Sequence, residues 1–182
     1  MRKKILVPVV AMAMLVSGVA GGSLAYLIDK EEPVTNTFTV GNVDITLAET
    51  KTDFKMVPGV EIAKDPVVTV EDGSEDCWLF VKIEESKNLD TFITYETAEG
   101  WTALAEEDGV YYRTVLAADT TKEFSVLKDD KVLTNGTVTK ADMDAIEADP
   151  EKKPTLTFTA YAIQQAGFDN AAAAWAEINP QP

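Results

Sequence analysis

The chain has 182 residues, a formal charge of −15 at pH 7, one cysteine and no histidine. Such acidity repels nucleic acid and anionic lipid, whose recognition needs Lys and Arg contacts, and the missing histidine removes the commonest general base and metal ligand together. With 46% hydrophobic residues the chain is no disordered polyanion, and its length suits one domain with its own core.

The first element is a leader. Arg2, Lys3 and Lys4 precede an uncharged run from Ile5 to Ile28, which contains the small-residue cluster Gly21-Gly22-Ser23-Leu24-Ala25. A basic start, an apolar run and small residues at a cut site make a signal peptide. Cleavage is expected after Ala25, with Ser23 and Ala25 in the shallow pockets of the peptidase and Tyr26 as the new N-terminus. The competing reading is an uncleaved anchor, since about 20 apolar residues span a bilayer. Gly18, Gly21 and Gly22 weaken a helix there, as a cut site requires. The expected organisation is a signal peptide over 1–25 and a single β-sandwich domain over 26–182, with 26–36 an extended N-terminal segment. Taking the three leader cations from −15 leaves −18.

The mature part reads as strands. Thr37–Val40 and Val43–Leu47 alternate apolar and polar residues and are β-branched, with Gly41-Asn42 as a bulge or turn between them. Pro58-Gly59 marks a turn, and Val67–Val70 a strand closed by the acidic loop Glu71–Asp76. Cys77–Ile83 is the most apolar run and predicts a central strand. Thr91–Tyr95 is a weaker strand, Val110–Leu116 a good one, and Phe124–Leu127 another, followed by a turn and Val132-Leu133. At Thr139 the character turns helical, with Asp142 at the capping-box position. Leu156–Ile163 alternates cleanly: Leu156, Phe158, Ala160 and Ala162 on one face, Thr, Tyr and Ile on the other. Asp169 is expected to cap an Ala-rich helix over 170–178 that Pro180 ends. Short, closely spaced strands with two small helices indicate an all-β sandwich.

Little here can do chemistry. No Gly-x-Ser-x-Gly elbow and no imidazole serve a serine nucleophile. The acidic pairs read as a solvated face. Glu71, Asp72, Glu75 and Asp76 are the one candidate Ca²⁺ set, against the plain reading of a charged turn, because their spacing departs from an EF-hand loop. Asn135-Gly136-Thr137 is a sequon or a turn. Trp78, Trp101 and Trp175 are core residues or a sugar-stacking platform. Cys77 sits in an apolar run and reads as a small buried hydrophobe, with an intermolecular disulfide as the alternative. No catalytic residue, cofactor or enzymatic activity is expected.

The stretch from Gly21 to Leu47 (GGSLAYLIDKEEPVTNTFTVGNVDITL) resembles the start of the TasA/camelysin-type exported proteins of Gram-positive bacteria. Met56–Pro66, with its Pro58-Gly59 and Lys64, resembles that family's "PG…K" element. The two blocks cover about a quarter of the chain. The resemblance implies a SipW-type signal peptidase as partner, a jelly-roll form of the sandwich, and a role in biofilm-matrix or surface fibres. It also brings a metallopeptidase label, which a chain without histidine cannot support through a His-Glu-x-x-His site.

The expected product is a secreted structural protein of the extracellular matrix or cell surface, with membrane contact only through the uncleaved leader. It would self-associate by strand addition. Tyr26, Leu27, Ile28, Thr37, Phe38 and Val40 are the candidate donor strand for a neighbour's sheet edge. In the competing arrangement this segment stays in its own sheet. The alternative function is a secreted non-catalytic binding module for polysaccharide or a cell-surface protein.

Overall fold

The computed structural model describes residues 28–31, 43–52 and 54–179. The expected leader, its expected cut site at Ser23, Ala25 and Tyr26, and the candidate donor residues Leu27, Thr37, Phe38 and Val40 lie outside them. The described chain is all-β: three antiparallel sheets and three short helices.

The strands, in chain order, are β1 (Ile28–Glu31), β2 (Ile45–Ala48), β3 (Glu61–Ala63), β4 (Val67–Val70), β5 (Cys77–Glu85), β6 (Ile93–Thr94), β7 (Thr102–Ala103), β8 (Val110–Val115), β9 (Glu123–Ser125), β10 (Lys131–Thr134) and β11 (Leu156–Gln164). The helices are α1 (Leu89–Phe92), α2 (Lys140–Ala148) and α3 (Ala171–Ile178). A five-stranded sheet has the order β1-β11-β5-β8-β7; the two three-stranded sheets are β3-β10-β6 and β2-β4-β9.

The large sheet buries one face along β5 and β11 and part of the other, and period two explains how. On β5, Cys77, Leu79, Val81 and Ile83 point to one side and join Phe158, Ala160 and Ala162 of β11. That side packs on Val68 and Val70 of β4, Ile45 of β2, Phe124 of β9 and Val132 of β10, so one core unites all three sheets. Phe80 of β5 and Ile163 of β11 point the other way, onto Ala171, Ala174 and Trp175 of α3. The alanines let the helix approach closely. Trp175 stacks on Phe80 at 5.3 Å and edge-on to Tyr161 at 5.2 Å.

Local chemistry sets several boundaries. Thr139 and Asp142 form the expected capping box of α2: the Thr139 N–H donates to Asp142 Oδ2 at 2.8 Å, and the Asp142 N–H donates to Thr139 Oγ1 at 3.3 Å. β8 ends at Val115 because the next N–H, of Leu116, donates to the Asp119 carboxylate at 2.9 Å. Gly109 has φ +72°, and a Cβ there would stand 2.3 Å from the Ile83 carbonyl oxygen, so only glycine fits this approach to β5.

Two expectations are corrected, and one strand is not foreseen from the sequence. The strand over Thr91–Tyr95 is a helical turn up to Phe92 and only then strand. Leu89 and Phe92, three apart, are both buried, and the Asn135 side-chain amide donates to the Asp90 and Thr91 carbonyls. The cap of α3 is Asn170, one residue later than Asp169: its Oδ1 accepts the Ala173 N–H at 2.9 Å. β3 has no clear pattern of its own; its pairing with β10 makes it a strand.

Phe80 is fully buried beneath α3. Phe80→Ala is expected to cost about 3–5 kcal/mol, seen as a lower urea midpoint at an unchanged denaturant slope.

Candidate functional site: the half-covered strand and the Lys64 cleft

β11 is nine residues long and pairs with β5 along its whole length, from Leu156↔Glu85 to Gln164↔Cys77. On its other side β1 covers it only from Ala160 to Ile163, in the register Glu31↔Ala160 to Ile28↔Ile163. Among the described residues no strand pairs with Leu156–Thr159 on that side. Pro33 stands two residues beyond Glu31 in the sequence and has no N–H to give to a ladder. Of the candidate donor residues, Ile28 is therefore placed: it lies in an edge strand of its own sheet.

Leu156 and Thr157 of β11 border a cleft built around Lys64. This lysine sits just before β4, between Ala63 and the Asp65-Pro66 entry to that strand. Its side chain is only 9% exposed, and Nζ donates to Glu49 Oε1 at 2.6 Å. The ring centres of Phe54 and Phe158 lie 4.9 and 5.1 Å from Nζ. Next to it Thr50 donates both its N–H and its hydroxyl to the Asp65 carboxylate, which holds that carboxyl below the usual carboxylate value. These bonds tie the Glu49–Thr52 stretch to the Lys64–Pro66 stretch and so fix the ion pair.

Two cavities of about 240 and 460 Å³ flank the ammonium. They share Thr52, Lys64, Leu156 and Thr157 as walls. The larger is lined mainly by apolar side chains, among them Phe54, Ile62, Ile146 and Leu156, with Lys153 as its second cation. Sequence reading held Lys64 only as part of a resembling block. A single lysine after a turn carries no sign of burial, and Glu49 is fifteen positions away.

The acidic loop is dispersed. Glu71 accepts the Thr46 hydroxyl at 3.1 Å, Asp76 Oδ1 accepts the Ala117 N–H at 2.7 Å, and Asp72 and Glu75 are exposed. Among the described residues no three acidic or thiol groups converge as metal ligands. The Asn135 amide of the sequon is engaged with the Asp90 and Thr91 carbonyls, at 2.8 and 3.1 Å, and works as a turn clamp. Trp101 is buried and donates to the Ser125 carbonyl at 2.8 Å; Trp175 is buried under α3; Trp78 is half-buried, edge-on to Tyr112 at 5.9 Å. The three indoles are packing residues, not a stacking platform.

Cys77 is fully buried in the core. An intermolecular disulfide would need this strand to leave the sheet. Burial pushes its thiol up from 9.0 to about 12. As pH rises the unfolded thiol loses its proton first, so between about 9 and 12 the native state binds more protons and stability falls with pH.

The chain matches no protein-family model, no curated protein and no solved structure.

Two measurements follow from this geometry. Lys64→Met alone strands the Glu49 carboxylate and is expected to cost about 3–5 kcal/mol, whereas Lys64→Met with Glu49→Gln recovers most of that loss. Between pH 9 and 12 the urea midpoint is expected to fall further in the native sequence than in Cys77→Ala, and the thiol to react with a thiol reagent only after unfolding.

Proposed function

We propose that this chain is a secreted, non-catalytic structural protein of the extracellular matrix or cell surface. Its sheets form a jelly-roll-like sandwich, and it builds fibres by strand addition after a SipW-type signal peptidase cuts behind Ala25. The observation that carries this reading is the half-covered β11, whose only described partner on that side is a four-residue strand from the N-terminal end of the chain.

A strand so placed is suited to exchange. Among the described residues β1 is held on one edge alone. When a neighbour supplies the same residues, each backbone hydrogen bond lost is replaced by an identical one. The remaining cost is the ordering of two chains into one, which concentration offsets. The contact is head-to-tail, so it need not close and can propagate as a filament. Leu156–Thr159 has no partner on that side among the described residues, so an added strand would run further along β11 than β1 does, through main-chain hydrogen bonds. An uncut leader would tether the donor segment and make cleavage the switch. The chain's acidity opposes non-specific clumping and leaves the directional contact as the one route to assembly.

The test compares mature protein with and without residues 26–36, each checked for folding by circular dichroism and examined by electron microscopy. Filaments from the full mature chain and none from the shortened one are expected. Equal assembly by both overturns strand addition.

A further inference from the structure

We propose that the Lys64 cleft is a binding site for the carboxylate of a single-chain amphiphile, a medium-chain fatty acid. This inference is independent of fibre assembly.

The first observation is the ammonium itself. An ammonium carries three N–H donors. Among the described residues Lys64 Nζ has one oxygen partner, Glu49, at 2.6 Å. Phe54 and Phe158 stand at cation–π range and cannot accept as an oxygen does. A buried cation with donors left over faces two contiguous cavities.

The second observation is the wall chemistry. The larger cavity, about 460 Å³, falls within the size range of small-molecule pockets. Phe54, Ile62, Ile146 and Leu156 line it with apolar surface that suits an alkyl tail. Among the described residues that line the two cavities, the charged ones are Lys64, Lys153 and Glu49, two cations and one carboxylate in a chain of net −15. An anionic head group is therefore favoured. A cationic amphiphile would meet two lysines beside its own charge. The carboxylate would accept from Lys64, with its tail directed into the larger cavity.

The probe is sodium decanoate, titrated below its micellar range into mature protein held monomeric by dilution, with binding followed by amide chemical shifts. Saturable one-to-one binding is expected, with shifts centred on 52–56, 62–64 and 153–157. Two variants guard against misfolding. Thr157→Trp places bulk at an exposed position lining both cavities, and Lys64→Met with Glu49→Gln removes the buried pair without stranding either member. Each is expected to weaken binding by about tenfold or more, and decyltrimethylammonium is expected to bind less well than decanoate. Four results overturn the proposal: no saturable binding, equal binding of the cationic amphiphile, decanoate binding unchanged in Thr157→Trp, or a peptide of residues 26–40 saturating the same amides where decanoate does not. The last would make the cleft a strand acceptor. Filament formation is scored separately by microscopy, so loss of either result leaves the other standing.

Discussion

The nine-pair antiparallel ladder between β5 and β11 is the constraint on which the rest of this protein depends. Both strands are apolar along one face, and on the other at Trp78, Phe80, Tyr161 and Ile163, so each of these surfaces must be covered. One side is met by the two small sheets, whose strands of two to four residues could not hold together alone. The other side is met by α3, an alanine-rich helix with one large anchor, Trp175. Every other element is a cover for this pair, a neighbour in its sheet, or a connection between the two.

The ladder also creates the feature most suited to function. β5 is covered on both edges, by β11 and β8, whereas among the described residues β11 has a full-length partner on one edge and a four-residue partner on the other. Backbone donors and acceptors at a sheet edge remain a template for another strand. The chain places β1 there.

Lys64 shows a different compromise. A buried ion pair contributes little net stability against apolar residues of the same size, yet losing one member is costly. Here the pair joins the stretch after β2 to the entry of β4 and leaves donors directed at a cleft. The proposed ligand would give this pair a role in a wall otherwise lined by Phe54, Ile62, Ile146 and Leu156.

The sequence by itself determined the all-β class, the central place of the Cys77 strand, the two faces of Leu156–Ile163, and the capping box at Thr139. Each of these is a local or periodic property: alternation, β-branching, or a hydroxyl three residues from a carboxylate. The tertiary structure alone decided that Leu89–Phe92 is a helical turn, that Glu61–Ala63 is a strand, that Ile28–Glu31 pairs with the edge of β11, and that Lys64 is buried against Glu49. In each of these the deciding partner is distant in the chain: Asn135 for the turn, β10 for the short strand, β1 for the edge, Glu49 for the lysine. Local pattern reports which face a residue prefers, but the energy of a ladder or an ion pair belongs to two segments at once, and only folding brings them together.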